Sequence, residues 1–301
     1  MASAELKTIV EVLRQNPLFG DADVETLRTC LLALMTAAPL PEGVRYEATE
    51  IGGVVAEWAL TSAAPSASGP GATLLYFHGG AYCIGAVATH RGLVGQLALA
   101  TGLRVLSLEY RLAPEHPFPA AIDDAVSAYR ALVARGVPPS RIVLAGDSAG
   151  GGLTVATLLA LRDAGDPLPT AGVCISPWLD MTGSGASWLT RAAEDPMLHR
   201  GGLARCTDMY LVGKDPRTPL ASPIFADLSG LPSILVHVGT AEVLLDESTV
   251  FTERARAAGV DVTLEVWEDM IHVWHAFAPA LPEGTRAIAR IAEYLRGRVS
   301  R

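Results

Sequence analysis

The sequence predicts an α/β fold with a mostly parallel central sheet and helices on both faces. Two patterns and one bulk property point there. Short apolar runs at 73–77, 104–108, 142–145, 172–175, 233–238 and 262–266 show no polar alternation, as expected of strands covered on both faces. Between them lie segments of helical spacing at 90–100, 120–135, 149–164 and 245–258, and a last helical segment is expected over 274–298. Strands that alternate with helices build βα units and a parallel sheet. Half of the 301 residues are apolar and 18% are charged, so a large core is available and a mostly disordered chain is excluded.

The elements follow in order from the same patterns. Leu6-Ile9-Val10-Leu13 and Val24-Leu27-Leu31-Leu34 recur at helical spacing and predict two amphipathic helices, divided by the breakers Asn16-Pro17 and Gly20-Asp21. Residues 46–60 read as two strands joined at Gly52-Gly53, and 61–71, small residues and proline, as a turn region. The stretch from Met181 to Ala221 is too long for an ordinary connection and breaks the alternation with mixed segments that hold Trp188, Met197, Met209, Tyr210 and Leu211. It reads as an insertion packed with the N-terminal helices. The expected division is cap helices at 1–45, a core at 46–180 and 222–301, and a cap insertion at 181–221.

Charge excludes several function classes. With 23 basic against 32 acidic residues, the formal balance is −9, and no basic stripe is present for nucleic acid or anionic membrane surfaces. The four cysteines, Cys30, Cys83, Cys174 and Cys206, are dispersed and suit a reducing compartment better than a disulfide or zinc framework. Glu5, Lys7, Glu11 and Arg14 interrupt any signal-like apolar core near the start, and no uncharged run reaches membrane-spanning length. A soluble cytoplasmic protein is the expectation.

The strongest chemical signal is Gly146-Asp147-Ser148-Ala149-Gly150, which follows a strand run and precedes a helix. This G-x-S-x-G pattern in a strand–turn–helix setting presents a nucleophilic serine at a helix N-terminus. A phosphate loop would need a Lys-Ser/Thr pair after the glycines, and none is there. The second signal is His78-Gly79-Gly80-Ala81, directly after the run 73–77. Glycines let backbone amides approach a developing oxyanion, so the N–H groups of Gly79 and Gly80 are candidate donors, with that of Ala149 completing the hole.

With Tyr110-Arg111-Leu112-Ala113-Pro114-Glu115 and Ser176-Pro177-Trp178 with Asp180, these motifs make the chain resemble the hormone-sensitive-lipase-like branch of the α/β-hydrolase superfamily, the family IV bacterial esterases. The resemblance runs from about Tyr76 to about His272. It departs at Ala81, where the family usually has a third glycine, and at His272-Val273-Trp274, where it usually has His-Gly-Phe. It implies an α/β-hydrolase fold with a helical cap. It also implies a serine carboxylesterase of short-to-medium acyl esters, working through an acyl-enzyme without metal or cofactor.

A nucleophilic serine needs a base and an acid, in chain order Ser…Asp/Glu…His. His272 stands where the family keeps its base, with His275 the competitor. A metal reading of Glu268, His272 and His275 lacks a second shell. The acid is Glu242 or Asp246. Laid onto the family pattern D-P-L-x-D-E, Glu242 takes the first, catalytic position, although glutamate replaces aspartate there, while Asp246 also suits a first helical turn. Glu115, Asp123 and Asp124 are expected to hold loops and helix ends, and Tyr110 and Arg111 to position the loop under the site. Tyr82, Trp188 and Tyr210 are expected either at the acyl or alcohol pocket or in the core.

The rival readings are an amidase or acyl-peptide hydrolase, and a non-catalytic receptor on the same fold, such as the plant gibberellin receptor, which resembles this family but lacks the base. The run 262–266 is expected at a sheet edge, with 274–298 packed nearby. Thr263 and Glu265 protect that edge weakly, and related esterases often pair through it, so a two-fold homodimer is expected.

Overall fold

The apolar runs become strands of a single sheet. The computed structural model describes residues 3–16, 22–64 and 66–299. Among them the strands are β1 (Arg45–Ile51), β2 (Val54–Leu60), β3 (Thr73–Phe77), β4 (Arg104–Leu108), β5 (Ile142–Asp147), β6 (Ala171–Ile175), β7 (Ser233–Gly239) and β8 (Val262–Trp267). Their order across the sheet is β1-β2-β4-β3-β5-β6-β7-β8. From β3 to β8 all pairings are parallel, and β2 runs antiparallel to both of its neighbours. The expected fold class is observed, and β8 is an edge.

The helices are α1 (Ala4–Gln15), α2 (Val24–Met35), α3 (Val87–Thr101), α4 (Ala120–Ala134), α5 (Ala149–Asp163), α6 (Ser187–Thr190), α7 (Arg200–Leu211), α8 (Leu245–Ala257) and α9 (Pro282–Arg296). The predicted break between the first two helices, at Pro17 and Gly20-Asp21, lies outside the described residues. The helix expected over 274–298 is not continuous. A short 3-10 turn, Trp274–Phe277, comes first, and α9 begins only at Pro282. Pro279 has no N–H to continue the first helix, and Pro282 sets the opening φ of the second.

Successive strand residues point to opposite faces, and both faces are covered. Leu74, Tyr76, Val105, Val143 and Val173 pack with Leu93 and Leu97 of α3 and Ile288 and Ile291 of α9. Their neighbours Leu75, Phe77, Leu106, Leu144 and Val236 pack with α4, α5 and α8 through Leu132, Leu158 and Phe251. A third cluster joins α1 to the chain around α9, through Leu6, Leu13, Met270, Ile271, Trp274 and Leu281, with Met197 against it. Arg14 of α1 donates to the carbonyl of Ala193 (3.1 Å), so α1 touches the 181–221 stretch.

The strand order reverses between β4-β3 and β5. In open α/β sheets such a switch point leaves a crevice beyond the carboxyl ends of the strands, where ligands bind. Here β3 ends in the His78-Gly79-Gly80 loop and β5 in the Ser148 turn, and the two strands are registered with Phe77 opposite Gly146. The two chemical motifs, far apart in sequence, are therefore neighbours.

Close approach at this crevice leaves no room for a methyl group at Gly150. A Cβ there would lie 1.9 Å from the carbonyl oxygen of Phe77 and 2.7 Å from that of His78, both backbone atoms. Gly150→Ala must push the first turn of α5 away from the loop after β3. The expected cost is roughly 3 kcal/mol, typical of overpacking at a rigid contact. Urea unfolding checks it, and an unchanged midpoint would show that the loop yields freely.

Candidate active site

Ser148 stands between β5 and α5 with φ 53° and ψ −121°. Side chains rarely occupy such a conformation, and it costs on the order of 1–3 kcal/mol. Backbone bonds hold it there. The Ser148 N–H donates to Ile175 O (2.8 Å), and its carbonyl accepts from the N–H groups of Trp178 (2.9 Å) and Gly152 (3.1 Å). The side chain is thereby set at the N-terminus of α5, where orphan amides and the helix dipole favour developing negative charge.

Asp147 ties this turn to the loop after β3. Its Oδ1 accepts from the Tyr76 hydroxyl (2.6 Å) and the Gly79 N–H (3.0 Å), and its Oδ2 lies 3.3 Å from His90 Nε2. Burial works against charge on both partners, yet their mutual attraction outweighs it, lowering the Asp147 pKa and raising that of His90. The two side chains form a buried, hydrogen-bonded pair under the loop. Tyr110 supports the loop as expected, donating to the His78 carbonyl (2.6 Å) and stacking on the His78 ring.

One expected donor is thereby corrected. The Gly79 N–H is engaged by Asp147. Among the described residues, no acceptor takes the N–H of Gly80, Ala81 or Ala149. The unengaged amides thus start one residue later than the sequence indicated. Gly80 is required at its position, since φ is +122° and a Cβ would meet Ile84 O at 2.0 Å, whereas Ala81 tolerates φ 52°.

The candidate acid and base stand on the loops after β7 and β8. His272 Nδ1 is 2.9 Å from Glu242 Oε2. The other carboxylate oxygen of Glu242 accepts from the Gly239 N–H (2.6 Å) and the Ser176 hydroxyl (2.9 Å). Ser176 accepts in turn from the N–H of Val273, so one hydroxyl spans the two loops. Burial depresses a histidine pKa, but the hydrogen bond and charge of Glu242 more than offset this, and His272 lies above its usual value.

The competitors are engaged elsewhere. Asp246 accepts from the Ser187 N–H (2.8 Å), tying α6 to α8. His275 faces His237 at 3.0 Å rather than Ser148. Among the described residues, no three His, Cys, Asp or Glu side chains form a group able to hold a metal ion.

Ser148 and His272 open on one cavity whose walls include Leu13 of α1, Leu31, Leu34 and Met35 of α2, Met197 and Phe277. The aromatic residues considered for this pocket are core instead. Tyr82 and Tyr210 stack on each other (4.1 Å between centroids) and, like Trp188, do not line it. Arg111 is paired with Asp124, and Glu115 with Arg28, as loop-holding groups.

Sequence reasoning assigned no role to Ser176, Asp195 or Arg28. Asp195 accepts from the N–H groups of Met197, Leu198 and Val243, fastening the cavity wall to the loop of Glu242. Only the Ser-Pro-Trp match hinted at Ser176.

A family model described by the α/β hydrolase fold matches residues 74–276. An acetyl-hydrolase of Streptomyces hygroscopicus is 47% identical over 299 residues, covering 98% of this chain and 97% of the relative. An esterase of Acinetobacter venetianus is 38% identical, covering 73% of each. Among solved structures, an esterase of the bacterial hormone-sensitive lipase family superposes with a TM-score of 0.95 at 48% identity, covering both chains fully. An esterase/lipase from an uncultured bacterium gives 0.92 at 43% identity over 99% of each chain. The matched motifs, the switch-point crevice and these likenesses converge: the chain belongs to the hormone-sensitive-lipase-like branch of the α/β hydrolases, a family of esterases.

Proposed function

We propose that the protein hydrolyses neutral carboxylic esters of short to medium acyl length through an acyl-enzyme on Ser148. The observation that carries this reading is the 2.9 Å contact between His272 and Glu242 on the cavity that also holds the strained Ser148. His272 takes the Ser148 proton as Oγ attacks the ester carbonyl. Glu242 holds the imidazole tautomer and stabilises its charge. The unengaged amides of Gly80, Ala81 and Ala149 receive the oxyanion. His272 then protonates the leaving alcohol, and water, deprotonated by the same imidazole, releases the acid.

The aliphatic walls of the cavity suit an uncharged acyl chain, and the similar acetyl-hydrolase is named for a short one. We read 1–45 and 181–221 as a cap over the core at 46–180 and 222–301, supported by the Arg14–Ala193 hydrogen bond and by Met197 packing against the cluster that holds Leu6 and Leu13. No helix among the described residues is long and apolar enough to cross a membrane. The four cysteines are unpaired, which favours a reducing compartment, and we place the protein in the cytoplasm.

A homodimer through β8 is part of the proposal. The N–H of Ile234 bonds the carbonyl of Asp261, so by strand alternation 262, 264 and 266 turn their backbone groups to the free edge. Arg256 takes the carbonyl of Val262, leaving Leu264 and Val266 as the open stretch.

Ser148→Ala should lower kcat on nitrophenyl butyrate by on the order of 10⁴-fold or more and abolish fluorophosphonate labelling while the fold persists. Near-normal turnover in a folded variant would remove Ser148 from the mechanism, and failure of the native protein to label would favour a receptor.

The pH dependence follows from the raised His272 pKa. The base works as neutral imidazole, so kcat/KM should rise with pH through a midpoint above the usual value of about 6.5. Glu242→Gln removes the stabilising charge and should move that midpoint to lower pH, with kcat reduced about 10²-fold or more. A midpoint that stays in place would take the acid role from Glu242.

Sedimentation at micromolar concentration should give twice the 31.6 kDa chain mass. Leu264→Pro removes an outward donor and should yield monomers. A dimer indifferent to it has its interface elsewhere.

A further inference from the structure

Arg28 makes four hydrogen bonds to two loops of the core. Its Nε donates to Cys83 O (2.9 Å), one terminal nitrogen donates to Ala113 O (3.0 Å), and both terminal nitrogens meet the Glu115 carboxylate at 2.8 Å. This fork-to-fork geometry is specific to guanidinium and needs both partners fixed. The hydrogen bond from Arg28 holds the Glu115 carboxyl down at about 2, so the pair stays charged across the working pH range.

Both loops bear on the candidate site. Cys83 and Ile84 donate their N–H groups to Gly80 O, closing the turn that carries the unengaged amide of Gly80. Ala113 donates to Tyr82 O within the same turn. Arg28 also shares a helical stripe of α2 with Leu31 and Met35, three and seven residues on, and both line the cavity. One side chain thus fixes the cavity wall of α2 against the loop that bears the oxyanion donors.

We propose that Arg28 is a positioning residue that sets acyl-chain selectivity by holding the α2 wall against the oxyanion loop. The proposal rests on Ser148 being the nucleophile. An acetyl group is too short to use the wall, whereas a hexanoyl chain gains binding from it. Such binding energy is lost mainly through KM when the wall loosens.

The test compares kcat/KM for nitrophenyl hexanoate and acetate in the full chain, after fluorophosphonate labelling of the native protein. Arg28→Met keeps the aliphatic stem and loses the fork. It should lower the hexanoate-to-acetate ratio about tenfold, mostly in KM. Glu115→Gln keeps the carbonyl bonds and should lower the ratio about threefold, a milder variant should the first fold poorly. A lower melting temperature with an unchanged ratio in the folded variants would overturn the proposal, making Arg28 merely structural. If the native protein does not label, the nucleophile reading falls and this proposal falls with it. Labelling with an unchanged ratio removes the role of Arg28 alone.

Discussion

The contact on which the site depends is the one between Gly150 and the backbone of Phe77 and His78. It is possible because β3 and β5 are adjacent and in register, and because residue 150 has no side chain. The contact brings the first turn of α5 against the loop after β3. Ser148 is thereby kept in a conformation that an isolated chain would leave at once. The strain is local, and the sheet on both sides supplies the restraint. Ile175 of β6 takes the Ser148 N–H, so the neighbouring strand on the far side holds the turn as well.

Two buried carboxylates organise the two halves of the crevice in different ways. Asp147 is paired with His90 and bonded to Tyr76 and Gly79, and it fixes the loop of the proposed oxyanion donors. Glu242 is bonded to Gly239, Ser176 and His272, and it fixes the proposed base. A buried charge is costly unless each lone pair is met, and in both cases backbone N–H groups and hydroxyls meet it. Neither carboxylate stands free to exchange roles with the other.

The remaining wall is assembled from outside the sheet. α1, α2 and the 181–221 stretch supply the aliphatic lining, and each is fastened by a polar group: Arg14 to Ala193, Arg28 to Glu115, and Asp195 to Val243. Apolar packing alone would leave such short helices free to slide, since it has little directional preference. The hydrogen bonds give the wall a defined place over Ser148.

By itself the sequence determined the strands, most helices and the family. Continuous apolar runs can be strands only where both faces are covered, and G-x-S-x-G after such a run leaves the serine one place to stand. The helical segment read over 274–298 divides in the structure because periodicity overlooks what Pro279 and Pro282 do to the backbone. Tertiary structure decided which amide is engaged and which carboxylate meets the histidine. Gly79 looked as available as Gly80 until Asp147, from another strand, was seen to take its N–H. Glu242 and Asp246 lie four residues apart, and only the arrival of Ser176 and His272 on one side and Ser187 on the other separates them. Those partners come from distant parts of the chain. Their meeting is fixed by strand order and loop packing, which no local pattern of residues encodes.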